Sequence, residues 1–363
     1  MKRLELLDYG RFSAALIVML YHYTFNGIAN GKIISITHIP FIIELTKYGY
    51  LGVELFFMIS GYVIFHSAKN RSAAQFAVSR AIRLYPSYWF AVLFTSLFAW
   101  YWGGSAMSVH PLQILANMTL LQSYFGFDHV DGVYWTLVYE VMFYAAVFII
   151  LLCGMQRSLD SIFIYWPILM CLAILLDLQH LPYLGGYFYY FAAGSLFALL
   201  KKAPGWRTIF SLAITFALCV SFSSEKATWL SESKGVLHSS YTIAFIITMF
   251  FIFFLILNLK KVQTLQLPKS KIFGALTYPA YLIHAHFGYM LINKFATEEN
   301  KLFIYTITIC MVLLVALAMH KLIEVNLSTL WKNLFTSTLG RAVSKVQAVF
   351  DRLHPADIKH SIK

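Results

Sequence analysis

The chain has 363 residues, of which 60% are hydrophobic, 17% aromatic and only 12% charged, and its formal net charge is +12. A soluble domain carries roughly 25% charged residues, so the composition excludes an ordinary soluble domain and predicts an integral membrane protein. Cys153, Cys171, Cys219 and Cys310 stand singly, no phosphate-binding glycine loop or His-Glu-x-x-His occurs, and no metal is expected.

Apolar runs long enough to cross a bilayer, roughly 20 residues each, recur from Phe12 to His320. They predict an all-α, polytopic fold of ten spans near 9–26, 48–66, 86–102, 134–153, 161–177, 184–200, 207–222, 238–258, 272–292 and 302–320. Residues 1–325 form the membrane domain, and 326–363 a basic tail expected as a helix on the membrane surface. The first run holds Arg11 and His22 and has no small-residue cleavage site, which argues against a cleaved signal peptide. With the N-terminus inside, 22 of the 28 Lys and Arg residues fall on the cytoplasmic side, so both termini are predicted there. The same asymmetry accounts for the positive charge through anionic headgroups, without nucleic acid.

Ionisable groups inside spans are costly and mark function by default. In the first span Asp8, Arg11 and His22 share one face, because eleven residues leave an offset of only about 20°. His22 then sits roughly 16 Å above Arg11, near the midplane. The second span carries Glu54 about two turns below its outer end, followed by Ser60 and Gly61, which permit close helix packing. Between spans two and three, helical spacing puts Arg80 and Arg83 on one face beside the membrane, a pair of forks suited to phosphate. The fourth span places Thr136, Glu140 and Tyr144 in an i, i+4 stripe just after Trp135. The ninth carries Tyr281 and His284. His22, Glu54, Glu140 and His284 therefore occupy similar depths on four spans, and one shared polar cavity is predicted.

Each of these residues also has a structural reading. Arg80 and Arg83 could be ordinary cytoplasmic anchors, Asp8 and Arg11 an interfacial ion pair, and Glu140 a hydrogen-bond hub. For Glu54 and His284 the two readings are evenly matched. His129 and Asp131, in the outer loop of residues 103–133, could touch a substrate or simply be solvated.

Taken in order, Asp8-x-x-Arg11 with His22, Gly-Val-Glu54-Leu-Phe-Phe-x-Ile-Ser60-Gly61, Arg80-x-x-Arg83-Leu-x-Pro86, Trp135-Thr136-Leu-x-x-Glu140 and Tyr278-x-x-Tyr281-Leu-Ile-His284 resemble the membrane acyltransferase-3 family over residues 5–325. The chain departs from it in having Glu54 where many members carry Asp, and one Glu where many carry Glu-Glu; no fused esterase-like domain is expected. The resemblance implies an O-acyltransferase of the cell inner membrane, moving an acyl group, most often acetyl, from acetyl-CoA to a glycan or lipid-linked saccharide. It implies a cytoplasmic acyl-CoA site at Arg80 and Arg83, joined by Arg11, and catalysis by His22. Glu140 is expected to orient His22. Glu54, His284, Trp135, Tyr281 and Asp8 are expected to shape the substrate side. Direct transfer and a transient acyl-histidine are both open. A secondary transporter using intramembrane His and Glu is the rival reading, and it predicts inverted repeats with matched broken spans.

Overall fold

The computed structural model describes residues 3–69 and 71–353. Among them there is no strand, and ten helices of 15 residues or more build the bundle. These are α1 (Glu5–Tyr21), α2 (Gly52–Ala68), α3 (Ala73–Trp102), α4 (Trp135–Leu152), α5 (Leu159–Leu175), α6 (Phe188–Lys202), α7 (Trp206–Lys234), α8 (Ser240–Leu257), α9 (Ser270–Phe295) and α10 (Lys301–Met319). Each overlaps one of the predicted spans. Seven of them, α1, α2, α4, α5, α7, α8 and α10 with short flanking turns, lie in segments long and apolar enough to cross a membrane. The other three fall short of that standard: α6 has only 15 residues, and α3 and α9 carry much of the polar lining described below.

Two boundaries differ from expectation. The linker before the third span and the span itself form one helix, α3, of 30 residues with Pro86 inside it. A reciprocal cap starts it: Ser72 Oγ accepts from the Gln75 amide, and Gln75 Oε1 accepts from the Ser72 amide, both at 3.2 Å. At its other limit, α7 does not stop at residue 222 but runs to Lys234, ending on Gly235 in the left-handed region (φ +64°). Its 29 residues extend about 44 Å, well beyond a hydrocarbon core of ~30 Å. Apolarity ends near residue 222, but a helix continues wherever its backbone bonds and propensities allow.

Close approach of backbones sets the centre of the bundle. Gly194 of α6 faces the Met58 carbonyl and the Tyr62 amide of α2, and Gly61 faces the Phe191 backbone, so a Cβ at either position would collide with main chain. Ser195 Oγ seals this contact by donating to the Gly61 carbonyl at 3.2 Å. Twelve of the 15 residues of α6 are buried, which makes it an interior helix. Within the most apolar stretch of the α2 segment 78% of the residues are buried, against 22% in that of α8, which belongs to the periphery. A further interior helix, α9, packs against α1, α3 and α10, and Tyr278 donates to the Leu84 carbonyl of α3 at 3.0 Å.

Beyond α10 the chain forms α11 (Ser328–Phe335), a π turn over Thr336–Gly340 and α12 (Arg341–Leu353). These elements lie along α3, with the rings of Trp331 and Phe335 6.1 and 6.0 Å from that of Trp89. Gln347 donates to the Leu152 carbonyl at the end of α4 at 3.1 Å. Residues 354–363 of the expected tail lie outside the described residues.

Candidate functional site

The i, i+3 spacing on α3 turns Arg80 and Arg83 inward together, onto a cavity of about 280 Å³. Arg11 of α1 joins them, facing Ser60 of α2, Thr136, Glu140 and Tyr144 of α4, and Thr277, Tyr278 and Tyr281 of α9. The i, i+4 stripe expected on α4 thus lines one wall. Arg80 Cζ lies 5.9 and 5.7 Å from the ring centroids of Phe76 and Tyr144, and Arg83 Cζ lies 5.1 Å from that of Tyr278. Arg80 also donates to Ser79 Oγ at 2.9 Å. Aromatic faces hold guanidinium groups without neutralising them. Among the described residues, none of the three arginines has a carboxylate within ion-pair distance. Their charge is free to meet an anion.

Glu140 accepts from Ser60 Oγ at 3.2 Å and from the Tyr144 hydroxyl. It does not hydrogen-bond His22, so the expected orienting role is not what the geometry gives it. His22 sits where α1 opens into a π turn, His22–Asn26, whose wider spacing is closed by the Gly27 amide donating to the His22 carbonyl. His22 Nδ1 instead meets the Tyr289 hydroxyl of α9, and Asn26 Nδ2 stands 3.4 Å from both atoms. The Tyr21 hydroxyl donates to Asn26 Oδ1 at 3.2 Å, extending this network. Sequence reasoning missed Tyr289 and Asn26. Asn26 was legible as the i+4 neighbour of His22, but nothing local points to Tyr289.

The rings of His22 and His284 meet edge to face, with centroids 5.0 Å apart and planes at 70°. His284 Nδ1 is engaged by the Tyr281 carbonyl at 2.7 Å, and its Nε2 is buried without a partner. Tyr281 links this pair to the cavity, since its hydroxyl bonds Thr136 Oγ1 at 2.9 Å and both residues line the wall. The histidines therefore adjoin the arginine cavity through α9.

Glu54 is not in that cavity. Fully buried on another face of α2, it takes Lys226 Nζ of α7 on Oε1 at 2.8 Å, while Oε2 has no partner. The single polar cavity expected from depth is thus divided: Glu140 lines it, His22 and His284 adjoin it, and Glu54 belongs to a separate ion pair. Asp8 likewise pairs with Arg3 Nε at 2.7 Å rather than with Arg11, which leaves Arg11 for the cavity. Trp135 stands in an aromatic layer with Phe57, Tyr139 and Tyr187.

The loop pair of His129 and Asp131 also separates. Asp131 is buried and structural, accepting from the Val133 and His286 amides at 3.2 and 2.9 Å. His129 lies against Gln122 and Ser123, and partial burial lowers its pKa despite the nearby Asp128 and Asp131 charges. Among the described residues no cluster of His, Cys, Asp and Glu could hold a metal ion.

The family model of an acyltransferase domain, that of the acyltransferase-3 family, matches residues 4–321. No curated protein and no solved structure matches the chain.

Proposed function

The chain belongs to the acyltransferase-3 family, and from that premise we propose that it moves an acetyl group from acetyl-CoA, taken from the cytoplasm, to a hydroxyl of a cell-surface or envelope glycan or its lipid-linked precursor. It is a multi-pass membrane acyltransferase; the inner membrane, the donor and the acceptor are our reading. The observation that carries it is the convergence of Arg11, Arg80 and Arg83 on one cavity, without carboxylate partners among the described residues. Acyl-CoA is a polyanion, and guanidinium forks match phosphate oxygens two at a time.

In this reading the phosphates sit at Arg80 and Arg83, and the pantetheine arm runs between α2, α4 and α9 toward His22. In the tautomer carrying its proton on Nδ1, His22 donates to the Tyr289 oxygen and offers the Nε2 lone pair. The acceptor oxygen attacks the thioester carbonyl carbon while its proton passes to Nε2. The C–S bond then breaks, the acetyl group stays on oxygen as an ester, and the CoA sulfur leaves and takes up that proton. General-base help of this kind contributes typically ~10²–10⁴-fold. Glu140, hydrogen-bonded to Ser60 and Tyr144, supplies a negative charge opposite the arginines that shapes the donor site.

The test uses membranes holding the wild-type chain or His22→Ala at equal abundance, given radiolabelled acetyl-CoA and the host's own glycan. Label entering glycan only with the wild type is the expected result. Neither glycan label nor CoA release above that of empty membranes would sink the reading. Protein-bound label that forms and decays within a turnover would replace direct transfer by an acyl-histidine.

A further inference from the structure

A second cavity, of about 530 Å³, opens at the end of the bundle opposite the arginine pair. Its walls are the loop between α5 and α6, the start of α6, and the overlong end of α7. Tyr189, Phe222 and Trp229 present ring surface to it, and Gln179, His180 and Glu225 bring hydrogen-bonding groups. The helix turns that carry Glu225 and Trp229 lie beyond the apolar part of α7, where solvent-soluble molecules can reach.

The cation in this wall is already engaged. Lys226 lines the cavity, yet its ammonium reaches inward to Glu54 Oε1 and lies 4.6 and 4.8 Å from the ring centroids of Tyr50 and Tyr187. The Tyr187 ring is in turn 5.4 Å from that of Phe57, and Phe57 lines the arginine cavity. Tyr187 and Phe57 therefore stand between Lys226 in the wall of this cavity and the arginine cavity, and Glu54 pairs with Lys226 through one oxygen while the other is unpartnered.

We propose that this second cavity binds the acceptor, as a saccharide whose ring faces lie on Trp229 and Tyr189 and whose hydroxyls meet Glu225, Gln179 and His180. The inference rests on the acyltransferase reading above. Its chemistry selects an uncharged polyol. With Lys226 neutralised by Glu54, a phosphate finds no available cation, and the polar groups deny a purely apolar chain. Aromatic faces with a few oriented donors and acceptors suit a sugar, which is apolar on its C–H faces and polar at its rim. Donor and acceptor would then bind in two cavities linked by the contacts of Lys226, Tyr187 and Phe57.

The experiment titrates the purified full chain, in lipid nanodiscs, with methyl glucoside, methyl galactoside and methyl mannoside, and reads binding by saturation-transfer NMR. At least one should bind saturably at millimolar concentration. Trp229→Ala and Glu225→Gln should each weaken that binding about tenfold with the melting temperature unchanged. Trp206→Ala, an exposed tryptophan at the other end of α7, should leave it as it was. Absence of saturable binding to the wild-type chain, binding that both cavity variants retain, or displacement by oleate in place of sugar would overturn the proposal. CoA release is read on the same preparation. Release without sugar binding would remove the acceptor cavity and leave the acyltransferase, whereas sugar binding lost in the variants, without release, would do the reverse.

Discussion

The Tyr289 hydroxyl meets Nδ1 of His22 across the contact between α9 and the π turn, and Asn26 closes the triangle from one helical turn away. A ring held at one nitrogen keeps the other in a fixed direction. Tyr289→Phe is expected to lower kcat by about tenfold, the worth of ~1.4 kcal/mol in an orienting hydrogen bond, with KM for acetyl-CoA unchanged. His22→Ala should cost at least ~10²-fold. Steady-state kinetics on matched membranes checks both, and a Tyr289→Phe enzyme at full kcat would remove the positioning role.

Arg80 and Arg83 lie against aromatic rings in the cavity wall, so their planar forks matter as well as their charge. Arg80→Lys and Arg83→Lys are each expected to raise KM for acetyl-CoA about tenfold while changing kcat little. An unchanged KM in both variants would return the pair to a cytoplasmic anchoring role.

Glu54 and Lys226 form a buried ion pair, with side chains 0% and 18% exposed. Removing one partner strands the other charge, at a cost of about 3–5 kcal/mol. Glu54→Gln should therefore lower the thermal midpoint in detergent, and adding Lys226→Met should recover much of the loss. A double variant no more stable than Glu54→Gln alone would mean that the pair contributes little.

Gly194 leaves no room for a Cβ against the Met58 carbonyl. Gly194→Val is expected to push α6 from α2 and destabilise the protein by about 1–3 kcal/mol or more, seen as a lower melting temperature together with lost activity. Melting at the wild-type temperature would show that the two helices can separate without cost.

Glu298 accepts from the Thr37 amide and from Lys301 Nζ, each at 2.6 Å, and clasps the loop after the first helix to α10. Lys301 first, then the Thr37 amide, holds its carboxyl below the ordinary value of 4.5. The clasp is thus fully present above that value and is lost as pH falls through the lower folded-state pKa. Hydrogen-exchange protection of the Thr37 amide should stay level from neutral pH down to the ordinary carboxylate range and drop below it. Glu298→Gln should show weaker protection at neutral pH and no such step.

Much of the fold was legible because a bilayer demands apolar length, and that demand marks most spans in the sequence. The α4 stripe and the Arg80–Arg83 pair were legible for a similar local reason, since i, i+3 and i, i+4 spacing fixes a shared face whatever surrounds it. Glu54 was misgrouped because depth along a helix says nothing of its rotation toward neighbours; it points about 120° away from Ser60. Lys226 falls outside the span predicted over 207–222 because apolarity ends before α7 does. Tyr289 and His22, 267 residues apart, are joined only by packing of α9 on α1.

The interior position of α6 bears on how the protein is made. At 15 residues it is about 22 Å long, too short to match a ~30 Å hydrocarbon slab alone, and its glycine face has its partner in α2. During biosynthesis α2 emerges first and is already inserted when α6 leaves the ribosome. Docking onto that waiting surface, rather than partition into lipid alone, is therefore the expected means of holding α6. Lesions at Gly61 or Gly194 are therefore expected to act during biogenesis as well, lowering the yield of inserted chain in addition to the stability and activity of the protein that remains.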